Sequence, residues 1–171
     1  MSGRQPSKKV SDSVVVLSQV MGITDANLQG NVHGGVIMKL VDTAAGTAAA
    51  RHAGGSVVTA AIDGMSFLHP VLLGNLVTFK AAVNDAGRTS MEVGVRVEAE
   101  DIATGRRVHT SSAYLVFVAL DDAGKPRSVP GVTPETEDEK RRQRAAAIRR
   151  EARLRRQRDL AADERSQARG D

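Results

Sequence analysis

The chain has 171 residues, 41% of them hydrophobic, which suffices for one ordinary domain with a real core and some length to spare. It contains no cysteine, so a disulfide framework, a thiolate nucleophile and a cysteine-type zinc site are all excluded. The net charge of +4 does not mark a basic folded surface: residues 1–133 hold 12 Lys+Arg against 11 Asp+Glu, and residues 134–171 hold 12 against 9.

The first ten residues read as a disordered lead-in. Their sequel has a single apolar run, Val14 to Leu17, too short for a signal peptide or a membrane span, so a cytoplasmic protein is expected. A short strand is expected over Ser13 to Val20, followed by the loop "MGITDANLQGNVH". From Gly34 to about His52 there is no proline, much alanine and a nearly continuous apolar character, which predicts a long helix. Beyond "AGG" at Ala53 to Gly55 the period changes. Ser56 to Phe67 and Leu76 to Val83 are rich in Val, Thr and Phe, and Met91, Val93, Val95, Val97 and Ala99 alternate with Glu92, Gly94, Arg96, Glu98 and Glu100, so one face is expected buried and the other wet. A last strand spans about Arg106 to Leu120, and turn signals separate these runs. One helix with consecutive antiparallel strands implies an α+β fold over residues 11–133. Residues 134–171 form a charged tail. The capping box Thr136 to Glu139 starts a helix expected to reach about Leu160, packing lightly or extending from the body, with a disordered end.

The long helix contains one anomaly. At 100° per residue, Val36, Ile37, Leu40, Val41, Ala44, Thr47 and Ala48 share one face, and Gly35, Met38, Asp42, Ala45, Gly46 and Ala49 share the other. The second face leaves space beside a single carboxylate, which suits the approach of a ligand or another chain. An ion pair from Lys39 to Asp42 is the plain alternative. Gly34 and Gly35 in the first turn leave backbone N–H groups unobstructed at the positive end of the helix dipole, with Asn31 and His33 just before them. Asp42 lies about 10 Å along the axis from Gly35, so Asn31 and Asp42 of one chain need not meet. A second helix running antiparallel would bring Asn31 of one copy near Asp42 of the other.

The runs "DANLQGNVHGGVIMKLVDTAAGTAAARHAGG", "VVTAAIDGMSFLHPVLLGNLV" and "AGRTSMEVGVRVEAED" closely resemble the hotdog-fold acyl-CoA thioesterases, over about residues 10 to 140. The resemblance implies a long central helix wrapped by a curved antiparallel sheet, dimerising through the sheets and often assembling as a trimer of dimers. It also implies an acyl-CoA substrate hydrolysed to free fatty acid and coenzyme A, with no cofactor and no metal. Asp42 would act as general base or as nucleophile, Asn31 would position the water or the carbonyl, and the Gly35 N–H, with that of Gly34, would receive the oxyanion. By the same resemblance Arg88, Thr89 and Ser90 lie near the coenzyme A moiety, although "NDAGR" is equally a hairpin turn. His33 is expected to shape the site loop.

Other routes have weaker support. The serine in "GGSVV" lacks the glycine of a nucleophile elbow, and no P-loop or paired-histidine metal signature occurs. His52 and His109 read as structural, and His69 precedes Pro70 in a turn. The rival enzyme is a hotdog hydratase, which would pair a histidine with an acid. A nucleic-acid protein working through the Arg-rich tail has only four aromatic residues for base stacking.

Overall fold

The computed structural model describes residues 6–167. Residues 1–5 and 168–171, which include parts of the expected lead-in and tail end, lie outside the described residues. The elements in chain order are β1 (Lys8–Lys9), a 3-10 turn (Val10–Ser13), β2 (Val15–Val20), a second 3-10 turn (Ile23–Asp25), α1 (Gly34–Ala53), β3 (Val57–Phe67), β4 (Leu76–Ala86), β5 (Ser90–Glu100), β6 (Arg107–Ala119), β7 (Val132–Thr133) and α2 (Glu137–Gln167). The α+β reading holds, with boundaries within a few residues of those expected.

Five strands form one antiparallel sheet in the order β2-β4-β5-β6-β3. β1 and β7 pair parallel beside it. The alternation in β5 does as its pattern requires. Met91, Val93, Val95, Val97 and Ala99 are buried on the inner face, where they join Val77, Phe79 and Val83 of β4 and Leu115, Phe117 and Ala119 of β6. α1 lies across this face and buries Ile37, Val41, Ala44, Ala45, Ala48, Ala49 and His52. The alanines bring helix and sheet close. This corrects the expected split of the helix: Ala45 and Ala49 face the core, whereas Thr47 is exposed and donates its hydroxyl to the Thr43 carbonyl at 2.8 Å.

The C-terminal end of α1 is closed by Gly54, whose φ of 68° is the left-handed conformation glycine adopts without strain. Cations cover its last carbonyls: Lys8 Nζ donates to His52 O at 2.8 Å, and Arg127 Nη2 donates to Ala53 O at 3.0 Å. Lys8 therefore belongs to the ordered body, contrary to the lead-in expected over residues 1–10.

α2 also departs from expectation. Thr136 and Glu139 make the reciprocal capping box, but the helix runs to Gln167 and its first half is docked on the outer face of the sheet. There Glu92, expected on the wet side of β5, is buried. Arg149 donates to both of its oxygens, at 2.7 and 3.0 Å, and stacks 3.6 Å over the Tyr114 ring, while Asn84 Nδ2 adds a third bond at 3.0 Å. Arg153 pairs with buried Asp63 on β3. Arginine is suited to this, because its planar fork satisfies a buried carboxylate through two parallel bonds. Apolar counting missed a contact made by ion pairs.

Candidate active site

Asp42 stands on α1 where the helix leaves the core. Its side chain is exposed, and it accepts a hydrogen bond from Thr59 Oγ1 at 2.8 Å. Thr59 belongs to β3, whose first residues run alongside α1 after the Gly54 turn. Asp42, Thr43, Gly46, Thr47, Ala50, Val57, Thr59 and Phe117 line an open depression of about 490 Å³. Gly46 leaves it open on the helix side, where a Cβ would stand 3.5 Å from the Phe117 ring. The Lys39 to Asp42 ion pair does not form among the described residues, since the carboxylate turns to Thr59 instead. With one oxygen held by that hydroxyl, Oδ2 is left to meet a water or a carbonyl carbon.

The other expected groups gather at the N-terminus of α1. Asn27 Oδ1 accepts from the Gln29 N–H at 2.9 Å and from the Asn31 N–H at 3.1 Å. Two backbone donors fix which end of the Asn27 amide is oxygen, so Nδ2 is the end left to donate. Asn31 bridges to Leu72 through its backbone and is half-buried. Asn27, Asn31, Phe67, Leu68, His69 and Val71 line a second depression, of about 260 Å³. Gly34 faces the Phe67 ring, 3.5 Å from where its Cβ would stand. The Gly35 N–H is not unobstructed as expected: it donates to His33 Nδ1 at 2.9 Å, with His33 as the helix N-cap.

Arg88, Thr89 and Ser90 line neither depression. The Ser90 carbonyl accepts from Gly87 across the hairpin turn, those of Thr89 and Arg88 accept from Ala119 and Val129, and the Arg88 side chain is exposed. Ser90 edges a narrow crevice with Ala146 and Arg150 beneath α2. Within one chain the structure thus separates Asn31 from Asp42, as the helix geometry implied, and leaves the Arg88 turn apart from both.

Two of the histidines are structural, as expected. His52 is fully buried with Nε2 3.0 Å from Pro130 O, and burial pushes its pKa below the ordinary value. His109 Nε2 lies 2.9 Å from Ser112 Oγ, a Ser–His pair in appearance, but it also lies 3.0 Å from Ser111 O. A carbonyl only accepts, so Nε2 must carry the proton and cannot take one from Ser112. No group of three or more His, Asp or Glu side chains among the described residues is arranged to hold a metal ion.

A model of the thioesterase superfamily matches residues 29–106. The acyl-CoA hydrolase of Staphylococcus aureus, solved with butyryl coenzyme A and coenzyme A, superposes with a TM-score of 0.87 at 36% identity, over 95% of this chain and 99% of that one. The chain belongs to the thioesterase superfamily. Its α+β architecture is the hotdog fold. The mouse cytosolic acyl coenzyme A thioester hydrolase is 40% identical over 135 residues, 78% of this chain and 35% of that protein. A solved hexameric acyl-CoA thioesterase superposes with a TM-score of 0.86 at 38% identity, over 88% of this chain and 97% of that one.

The Staphylococcus aureus hydrolase has also been solved with single alanine replacements of an Asp, of an Asn 15 residues before it and of a Thr 17 residues after it. In this superfamily member the same spacings from Asp42 fall on Asn27 and Thr59. Neither was singled out in the sequence. Thr59 looks like any threonine in a strand, and only the fold shows it touching Asp42. Asn27 carried a usable signal, an asparagine whose amide could close an Asx turn before the helix, but Asn31 stood closer to the glycines.

Proposed function

We propose that this protein hydrolyses acyl-CoA thioesters at sites completed between two copies of the chain. The observation that carries the reading is the exposed Asp42 carboxylate, set in an open depression among small residues and held at one oxygen by Thr59. A solvated structural acid on a helix would instead be ringed by long charged side chains.

In the general-base route, Asp42 Oδ2 of one copy takes a proton from water, the hydroxide oxygen bonds to the thioester carbon, and the carbonyl oxygen becomes an oxyanion beside the Gly35 N–H of the other copy. Collapse breaks the C–S bond, giving a carboxylic acid, and the sulfur leaves as a stable thiolate that takes the proton held by Asp42, restoring the carboxylate. In the nucleophilic route Oδ2 attacks the same carbon, the C–S bond breaks to expel the thiolate, and water opens the resulting anhydride to the carboxylic acid and the Asp42 carboxylate, giving its second proton to the thiolate. Asn27, with its amide end fixed, is the stronger candidate to hold the carbonyl or the water, a role first given to Asn31. The latter remains a lining residue. The exposed Arg88 is the cation offered to the coenzyme A phosphates.

The pairing of copies is supported by β3. Among the described residues it bonds to β6 on one side only and presents eleven residues of strand edge on the other. Its first residues flank Asp42 and its last, Phe67, flanks Asn27. Two β3 strands paired antiparallel would therefore set the Asp42 end of one copy against the Asn27 end of the other. Further assembly into a trimer of dimers follows the hexameric neighbour.

A hydratase fits less well, because no histidine bonds to Asp42 among the described residues and His33 serves Gly35. Nucleic-acid binding by the tail has less support, since Arg149 and Arg153 are committed to Glu92 and Asp63 of this same chain and hold the helix against the sheet. Fatty acyl chains are the substrate class this reading prefers. The test is release of free thiol from a panel of acyl-CoA esters of increasing chain length. Hydration of an enoyl-CoA without thiol release would overturn the reading.

A further inference from the structure

The proposed oxyanion donor already carries a hydrogen bond within its own chain. The Gly35 N–H donates to His33 Nδ1 at 2.9 Å, and a Cβ built on Gly35 would stand 2.9 Å from that nitrogen and 3.1 Å from Cε1. The Nδ1–Cε1 edge of the imidazole therefore sits against the glycine, on the N–H that an incoming carbonyl oxygen needs.

The backbone on either side of this ring is fixed. The His33 N–H donates to Asp25 O at 2.7 Å, and the His33 carbonyl accepts from Val36 N–H at 2.9 Å. The side chain itself is exposed, so rotation about its own torsions carries the ring into solvent without disturbing the core. Among the first-turn amides, Val36 and Ile37 are satisfied by the His33 carbonyl, whereas the Gly35 amide is held only by a side chain that can leave.

We propose that His33 is a displaceable plug on the Gly35 N–H, occupying the position of the thioester carbonyl oxygen until substrate replaces it. The inference rests on Gly35 being the oxyanion donor. It makes His33 a positioning residue that tunes substrate binding and takes no proton in the reaction. Glycine at position 35 then has a second use, because any side chain would evict the ring. Displacement exchanges one neutral hydrogen bond for another, so the plug weakens binding of a carbonyl-bearing ligand by a factor of about 2 to 10. It leaves unchanged the binding of a ligand that has no carbonyl to place there.

The test compares two coenzyme A analogues by calorimetry on the full-length chain. One is the butyryl ketone in which CH2 replaces the thioester sulfur, and the other is S-butyl-coenzyme A, which lacks the carbonyl. His33→Phe and His33→Ala, which have no acceptor, should tighten the ketone by about 2- to 10-fold and leave the thioether unchanged. His33→Asn, which restores a capping acceptor, should bind both analogues as the parent protein does. Equal effects on both analogues, or no tightening of the ketone in either acceptor-free variant, would overturn the plug. The 15N–1H resonance of Gly35 separates this from failure of the underlying site. If the ketone moves it no more than the thioether does in all four proteins, the carbonyl does not bind at Gly35, and the oxyanion assignment falls together with the plug.

Discussion

Replacing Thr59 with valine removes one hydroxyl and keeps the branched shape of the side chain, so it isolates the bond to Asp42 Oδ1. A hydrogen bond to a charged acceptor contributes about 1.5 to 3 kcal/mol when water cannot replace it. In a single chain both groups are exposed and water can replace the bond, so unfolding stability should change by no more than about 0.5 kcal/mol. Once substrate and a second copy close the depression, the low end of that range applies. About 1.5 kcal/mol corresponds to a loss of about tenfold in kcat/KM. The assay is thiol release from an acyl-CoA under second-order conditions, with thermal melting as the control. In an Asp42→Asn background the same substitution should cost less than about twofold, because the carboxylate it serves is gone. Unchanged kcat/KM in Thr59→Val, or a full tenfold loss in the Asp42→Asn background as well, would refute the reasoning.

Asp42→Asn should lower kcat by about 10²- to 10⁴-fold, the usual contribution of a general base, with the melting temperature nearly unchanged because the side chain is exposed; steady-state kinetics beside a thermal melt checks both. Arg149→Ala leaves Glu92 buried without its two strongest bonds and should cost about 3 kcal/mol, read by urea unfolding, with faster amide exchange along α2. His52 gives a pH signature. Burial holds its folded pKa below the ordinary 6.5, so the unfolded chain takes up the proton first and stability should fall as pH drops below about 6.5. Urea midpoints at pH 7.5 and 5.5 should show this decline, and His52→Gln should remove it.

Much of the fold was legible because its signals are local. The period-2 pattern of Met91 to Ala99, the proline-free run from Gly34 and the box at Thr136 to Glu139 each specify an element without reference to the rest of the chain. What escaped depends on contacts across the sheet. Glu92 reads as wet until Arg149 arrives from 57 residues away, and Ala45 reads as open until the sheet curls around α1. The site shows the same division. Asp42 is conspicuous because a lone acid in an alanine-rich helix breaks a pattern, whereas Thr59 obeys the strand pattern and becomes informative only 2.8 Å from that acid. The hydrogen bond from Gly35 to His33 lay beyond a sequence argument, since capping depends on a side-chain rotamer.

The central claim, that one site draws Asp42 from one copy and Asn27 from another, is tested most directly by mixing two inactive variants. Asn27→Ala and Asp42→Asn are purified separately, combined in equal amounts, and taken through subunit exchange verified by native mass spectrometry. Random pairing makes half of the dimers hybrid, each with one intact site and one doubly altered site, so activity should return to about one quarter of the parent value. Complete exchange with no recovery of thiol release would contradict a shared site and return Asn27 and Asp42 to a single chain.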